Sequence, residues 1–283
     1  MTARYRIHHT STYAYTQAVT ASFNEVRQTP GAAPWQSPLE SVLRVDQSSW
    51  HYRYVDYWGS QVRVFEAHGP HRDLVVDVSS LVEVDGSRRV HADPGLGWDD
   101  VRAPHVIDEF SEFLAVSRFT APPAPLAETA ARLAAEHGPL DTAEAIVAHV
   151  HDTMTYVPGS TGVHTLAAEA WDAGSGVCQD YAHLVVGALR HVGIPARYVS
   201  GYLHPAAHPE IGVETSAQSH AWVQWWLGGW SDHDPTNRNE VDERHVMVGT
   251  GRDYGDVPPL KGIVAGTPTT TRLTVAVSIT RQA

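Results

Sequence analysis

The sequence predicts an α+β protein: an all-β, sandwich-like N-terminal region followed by a core in which helices precede strands. Three observations carry this. Residues 1–105 show period-two patterning and no helical stretch. Residues 106–125 read as a Pro-rich connection ending in Ala121-Pro-Pro-Ala-Pro125, which continues no regular element. Residues 126–283 carry three helical stretches and then strands, and are read as one core with a C-terminal strand.

The elements follow in order. Arg4 to Tyr15 is rich in β-formers, among them Tyr5, Ile7, Thr10, Thr12, Tyr13 and Tyr15. Ser49 to Tyr57 holds four aromatics, Trp58-Gly59-Ser60 reads as a turn, and Gln61 to Glu66 as its partner strand. From Leu74 to Val84 the even positions are Leu74, Val76, Val78, Ser80, Val82 and Val84, apolar at all but one, the pattern of a half-buried strand. Leu126 to His137 is Ala-, Glu- and Leu-rich and stops at Gly138-Pro139. Asp141-Thr-Ala-Glu144 has the spacing of a capping box opening a helix through Ile146, Val147, Val150 and Met154. A third helix is predicted from Cys178 to Val192, with Gly193 as its stop. Ile194–Tyr202, Ser219–Trp226 and Trp230–Asp234 read as strands, the last two joined across Gly228-Gly229; Leu273 to Thr280 is a terminal strand.

Composition narrows the function. With 20 Lys+Arg against 32 Asp+Glu, the net charge is −12, which repels phosphate backbones and anionic lipid, so neither nucleic acid nor membrane is an expected partner. No apolar run approaches the roughly 20 residues of a membrane span. The first residues lack the apolar stretch of a signal peptide, so a cytoplasmic location is expected. The single cysteine forbids an intrachain disulfide and any multi-thiolate metal site.

That cysteine, Cys178, lies after Gly174-Ser-Gly-Val and before an apolar helical stretch, which puts its thiol at a helix start. The helix dipole there favours the thiolate, the nucleophilic form, and the Cys178 backbone N–H is a candidate oxyanion donor. The plainer reading is a small buried hydrophobe. A nucleophile needs a base and the base an orienting group. His220 opens one strand and Asp234 closes the next. Their equal parity puts both on one face only if the connecting loop has an odd number of residues, and a loop of three around the glycines meets this. Trp222 then shares that face as a candidate substrate-binding wall, and Asp232 is the second candidate orienter. Plainer readings are a surface-strand histidine, one of 18, and an Asp-Pro turn. Gln179 and Asp180 sit on the first helical turn, where capping is expected and Gln179 is a candidate substrate contact. Trp222, Trp225, Trp226 and Trp230 are either cleft walls or hairpin core.

Four blocks in sequence, Gly176-Val-Cys-Gln-Asp-Tyr-Ala-His-Leu184, Gly193-Ile-Pro-Ala-Arg-Tyr-Val-Ser-Gly-Tyr202, Ser219-His-Ala-Trp222 and Asp234-Pro-Thr-Asn237, resemble the bacterial transglutaminase-like superfamily. His9-Thr-Ser-Thr-Tyr13, Asp56-Tyr-Trp-Gly59 and Val62 to Val84 are similar to the β-rich N-terminal region that precedes the core in these proteins, and Gly251 to Leu260 to the segment that follows it. Ser60 departs from the family, which often has Asn there. The resemblance implies a papain/transglutaminase-like core, with helices against an antiparallel sheet. It also implies a Cys178–His220–Asp234 triad acting on an amide or peptide substrate through a thioester. Hydrolysis, as in a transglutaminase-like cysteine peptidase or amidase, is the first expectation, and transfer to an amine is the alternative.

Other chemistries fit less well. His204 and His208 are separated by prolines that prevent a shared helical face, and the other histidines lack a carboxylate cluster, so no metal site is expected. No Gly-x-Ser-x-Gly elbow and no calcium loop occur, and no cofactor is implied. A non-catalytic scaffold with a degenerate core is the reading of another class.

Overall fold

The computed structural model describes residues 2–46, 48–265 and 271–283. The N-terminal stretch comprises β1 (Thr2–Val26), β2 (Gln36–Arg44), β3 (Ser48–Val55) and β4 (Gln61–Asp85). β1 runs well past the expected Tyr15, and the two strands expected at 61–66 and 74–84 are one. Both 25-residue strands are irregular mid-length: the β1–β4 register shifts between Ala14 and Ala21, and Gly69 takes φ +86° beside Pro70. The shift switches the buried positions of β1 from odd (Tyr5, Ile7, His9) to even (Ser22, Asn24, Val26), which is what a bulge does to a period-two pattern.

Three short helices follow: α1 (Trp98–Val101), α2 (Pro104–Glu109) and α3 (Ser111–Leu114). α1 and the start of α2 lie before residue 106, where no helix was expected, because helices of four to six residues are too short to show a helical period. α4 (Ala124–Glu136) starts inside the Pro cluster, with Pro125 in its first turn. α5 (Pro139–Thr153) starts two residues before the expected capping box. Pro139 occupies the first helical position, where its missing N–H costs nothing, so Gly138-Pro139 opens this helix as well as closing α4. β5 (Thr155–Tyr156), α6 (Ala167–Ala173) and β6 (Ser175–Gly176) lead into α7 (Cys178–His191). Then come β7 (Ala196–Leu203), β8 (Glu214–Ala217), β9 (Ser219–Trp226), β10 (Trp230–Asp234), β11 (Asn239–Glu240), β12 (His245–Gly251), β13 (Leu260–Ala265) and β14 (Thr271–Arg281).

Two antiparallel sheets organise the molecule. β11-β10-β9-β7-β12 form the sheet of the core. The N-terminal strands belong to a seven-stranded sheet, β2-β4-β1-β14-β8, with β13 on β1 and β3 on β4. The terminal strand, whose partner the sequence leaves open between the two modules, pairs with β1, from Tyr5↔Arg281 to Tyr15↔Thr271. Local periodicity identifies a strand but not its partner.

One face of the core sheet, Ala221, Val223 and Trp225 on β9, packs on α4, α5 and α7 through Leu126, Ile146, Leu184 and Val185. The opposite face, Val199, Tyr202, Trp222 and Val246, packs on Tyr5, Ile7, Val82 and Ile279 of the seven-stranded sheet. The sheet-on-sheet layer thus lies between the β-rich region and the core. Among the described residues no helix is long and apolar enough to cross a membrane.

Candidate active site

α7 begins at Cys178, so the thiol stands on the first helical residue and is half-buried. The first turn is held by Asp180, whose Oδ2 accepts from the Val177 N–H at 2.8 Å and from Thr161 Oγ1 at 2.6 Å. This is the capping role expected of it. A Cβ at Gly176 would fall 2.8 Å from that carboxylate, so the residue must be glycine for Asp180 to close the turn.

β9 and β10 pair through Trp226↔Trp230, Gln224↔Asp232 and Val223↔His233. The loop between them is 227–229, three residues, with Gly228 at φ +79°. The odd loop puts even-numbered side chains on one face, and His220 Nε2 donates to Asp234 Oδ2 at 2.7 Å. The Cys178 thiol is within hydrogen-bonding reach of the same ring. Burial works against charge on His220, yet the Asp234 carboxylate and the Cys178 sulfur outweigh it and push its pKa up to about 10. Near neutral pH the ring is therefore an imidazolium, held between the Asp234 carboxylate and the Cys178 sulfur. Asp234 is fully buried and still ionised: burial opposes its charge, but hydrogen bonds from His220 and His245 hold it well below the usual carboxylate range.

Asp234 is also the turn residue of the plainer reading, because its Oδ1 accepts from the Thr236 and Asn237 N–H groups at 3.0 and 3.2 Å. Its Oδ2 takes Asn237 Nδ2 at 2.7 Å and His245 Nε2 at 3.3 Å besides His220. Asn237 and His245 were not singled out by sequence reasoning. Asn237 stands in the Asp-Pro-Thr-Asn block, which is a usable signal; His245 is one histidine among 18 on a strand that periodicity did not reveal.

Three expectations need correction. Trp222 does not wall the cleft: it is fully buried between the sheets, its ring 6.1 Å from that of His220 and its Nε1 donating to Asp232 at 2.8 Å. Asp232 serves a different partner from His220. It is paired with buried Arg89 at 2.8 Å and accepts from Gln224 at 2.7 Å, while Arg89 also lies 3.6 Å over the Trp35 ring. The thiol does not arrive from a helix packed on the His220–Asp234 face, because α7 covers the other face and Cys178 meets His220 at the start of β9. Of the other tryptophans, Trp225 belongs to the helix-side core and Trp226 and Trp230 pack on Phe110. Gln179 does line the cavity beside the thiol, with its Nε2 3.4 Å from the Val163 carbonyl.

His220, Asp234 and His245 bring their donor atoms within 4.8 Å of one another, the one grouping of metal-ligand type among the described residues. A zinc ion needs ligands about 2.0–2.2 Å from a shared centre. Here both imidazoles hydrogen-bond to one carboxylate oxygen, at 2.7 and 3.3 Å.

Residues 127–235 match the model of the transglutaminase-like superfamily, and residues 5–83 that of the bacterial transglutaminase-like N-terminal region. An uncharacterized Mycobacterium leprae protein is 41% identical over 99% of both chains. The chain belongs to the transglutaminase-like superfamily. A crystal structure of a candidate cysteine protease from Cytophaga hutchinsonii shares its fold, with a TM-score of 0.70 at 19% identity over 100% of this chain and 98% of that one. A protein-glutamine gamma-glutamyltransferase of Pseudomonas aeruginosa is 33% identical over 38% of this chain and 18% of its own length.

In this transglutaminase-like protein the thiol opens onto a cavity of about 460 Å³ between core and β-rich region. Cys178, Gln179 and His220 line it from the core, and His9, Val275 and Val277 from the seven-stranded sheet. A second cavity, about 500 Å³, is lined by Leu203, Thr236 and Asn237 and shares Tyr156, Ser219 and His220 with the first. His220 thus has open space on two sides, one of them over the thiol.

Proposed function

We propose that the protein is a cysteine-dependent amidase or peptidase using Cys178, His220 and Asp234. The observation that carries this is the buried 2.7 Å contact between Asp234 and one nitrogen of a His220 ring that also meets the Cys178 thiol beneath an open cavity. The Cys178 thiolate attacks an amide carbonyl, with the Cys178 backbone N–H as oxyanion donor at the helix start. The His220 imidazolium gives its proton to the leaving amine as the C–N bond breaks, leaving a thioester. Water then attacks the thioester; His220 takes its proton, the C–S bond breaks, and acid and thiolate are released. Asp234 fixes the ring orientation and sustains its charge.

Transfer to an amine uses the same residues. The second cavity on the Asn237 side of His220 supports this as a second reading, because an acceptor can approach there while the acyl group occupies the first. The test is incubation with a peptide library followed by rapid quench and intact-mass measurement. An acyl adduct on Cys178, absent from Cys178→Ala, is expected. Added methylamine diverts product to the N-methylamide if transfer competes. Substrate turnover by Cys178→Ala, or a wild-type thiol as slow toward iodoacetamide as in urea, refutes the reading.

A further inference from the structure

The far wall of the thiol cavity is built by the β-rich region, and its chemistry restricts what can lie there. Leu273 and Val275 on β14 are 49% and 48% exposed although they sit on the face that is buried elsewhere along the sheet. Their register partners show this: Ile279 opposite Ile7 and Val277 opposite His9 are buried, whereas Val275 opposite Ser11 and Leu273 opposite Tyr13 face open cavity. About half of each side chain is thus left in contact with water, and an apolar ligand covering them removes that contact.

The charge inventory agrees. Among the described residues lining the cavity there is no Asp, Glu, Lys or Arg. In a chain with 52 such residues, that is a marked depletion beside a reactive thiol. His9, the one titratable group on the far wall, is 2% exposed, hydrogen-bonds to Tyr202 Oη at 2.9 Å and lies 3.3 Å from Ser11 Oγ and Gln28 Nε2. Burial lowers its pKa to about 4, so it adds no charge near neutral pH. A charged group entering this space loses water and finds no counter-charge other than the catalytic pair.

We infer that Leu273 and Val275 of the β-rich region form the acyl-group subsite, selecting an uncharged, apolar acyl group for transfer to Cys178. This rests on the thiol reading above and adds the substrate class. It also gives the seven-stranded sheet a function: the core supplies the thiol and the sheet supplies the specificity wall. A volume of about 460 Å³ lies in the range of pre-formed small-molecule sites, about 300–1,000 Å³.

The probes are 4-nitrophenyl acetate, butyrate, hexanoate and hydrogen succinate. In each, the thiolate attacks the ester carbonyl, the C–O bond breaks and nitrophenolate leaves with the electron pair, giving an acyl-Cys178 read by absorbance burst and mass. Each rate constant is divided by that of the same ester with a small free thiol. We expect hexanoate to exceed acetate at least tenfold and succinate to fall at least tenfold below butyrate. Val275→Ser and Leu273→Ser, both at exposed positions, should each cut the hexanoate-to-acetate ratio at least threefold. Acylation of Cys178 with no chain-length or charge preference, or with a ratio untouched by both variants, overturns this inference and leaves the thiol reading standing. Failure of every ester to acylate Cys178 refutes the thiol reading and the inference together.

Discussion

Asp234→Asn removes one negative charge while keeping the shape of the side chain that the His220 ring leans on. Five donors converge on this carboxylate: the rings of His220 and His245, the Asn237 amide and two backbone N–H groups. Without the charge, burial dominates at His220, and its pKa drops from about 10 to about 6.5 or lower. At about 1.4 kcal/mol per unit, the difference between about 10 and the ordinary 6.5 is worth at most about 5 kcal/mol. Because the folded value lies above the unfolded one, this stabilisation is fully present below pH 6.5 and is lost as pH rises toward about 10. The wild-type and variant unfolding free energies should therefore differ most at pH 6 and converge by pH 10. Urea unfolding at both pH values reads the gap. Nitrogen-15 NMR of the histidine rings, with His220→Gln to assign the signal, reads the protonation directly. A wild-type His220 titrating between pH 6 and 7, or a midpoint unmoved in Asp234→Asn, would refute the account of the ion pair.

Other substitutions separate chemistry from architecture. Cys178→Ala should abolish thioester formation and leave the unfolding free energy within about 1 kcal/mol, because the thiol is half-buried and its removal opens little space; a large loss of stability would make it a core residue. Asp232→Leu leaves buried Arg89 unpaired and should cost about 3–5 kcal/mol in urea unfolding, while Arg89→Met in the same chain restores most of it. If the double variant is as unstable as the single one, the pair is not what Asp232 contributes. Gly201→Ala would put a methyl group 2.6 Å from the Trp222 ring and against the Val246 carbonyl, costing about 1–3 kcal/mol and loosening the ring stacked on His220; an unchanged melting temperature would show that the sheets can part without penalty.

How much of this was legible differs by the range of the interaction. Elements whose pattern is local were readable: the period-two run in β4, the apolar stretch of α7 and its start at Cys178, and the hairpin whose odd glycine loop puts His220 and Asp234 on one face. Parity is a property of the chain alone, so two residues fourteen apart could be brought together without coordinates. Strands that lie flat against both neighbours, such as β12 with all seven residues buried, lack alternation and were missed. His245 was missed with it.

What only the tertiary structure decided is which faces meet. Equal parity admitted both Asp232 and Asp234, and Trp222 beside them, to one surface. The seven-stranded sheet then covers that surface, burying Trp222 and giving Asp232 to Arg89, which leaves Asp234 at the strand end for His220. The pairing of β14 with β1 likewise depends on residues more than 250 positions apart, and it is this pairing that carries Val275 to the thiol cavity. Side-chain alternation determines that a strand has two faces, but burial assigns them, and burial is a property of the whole packed chain.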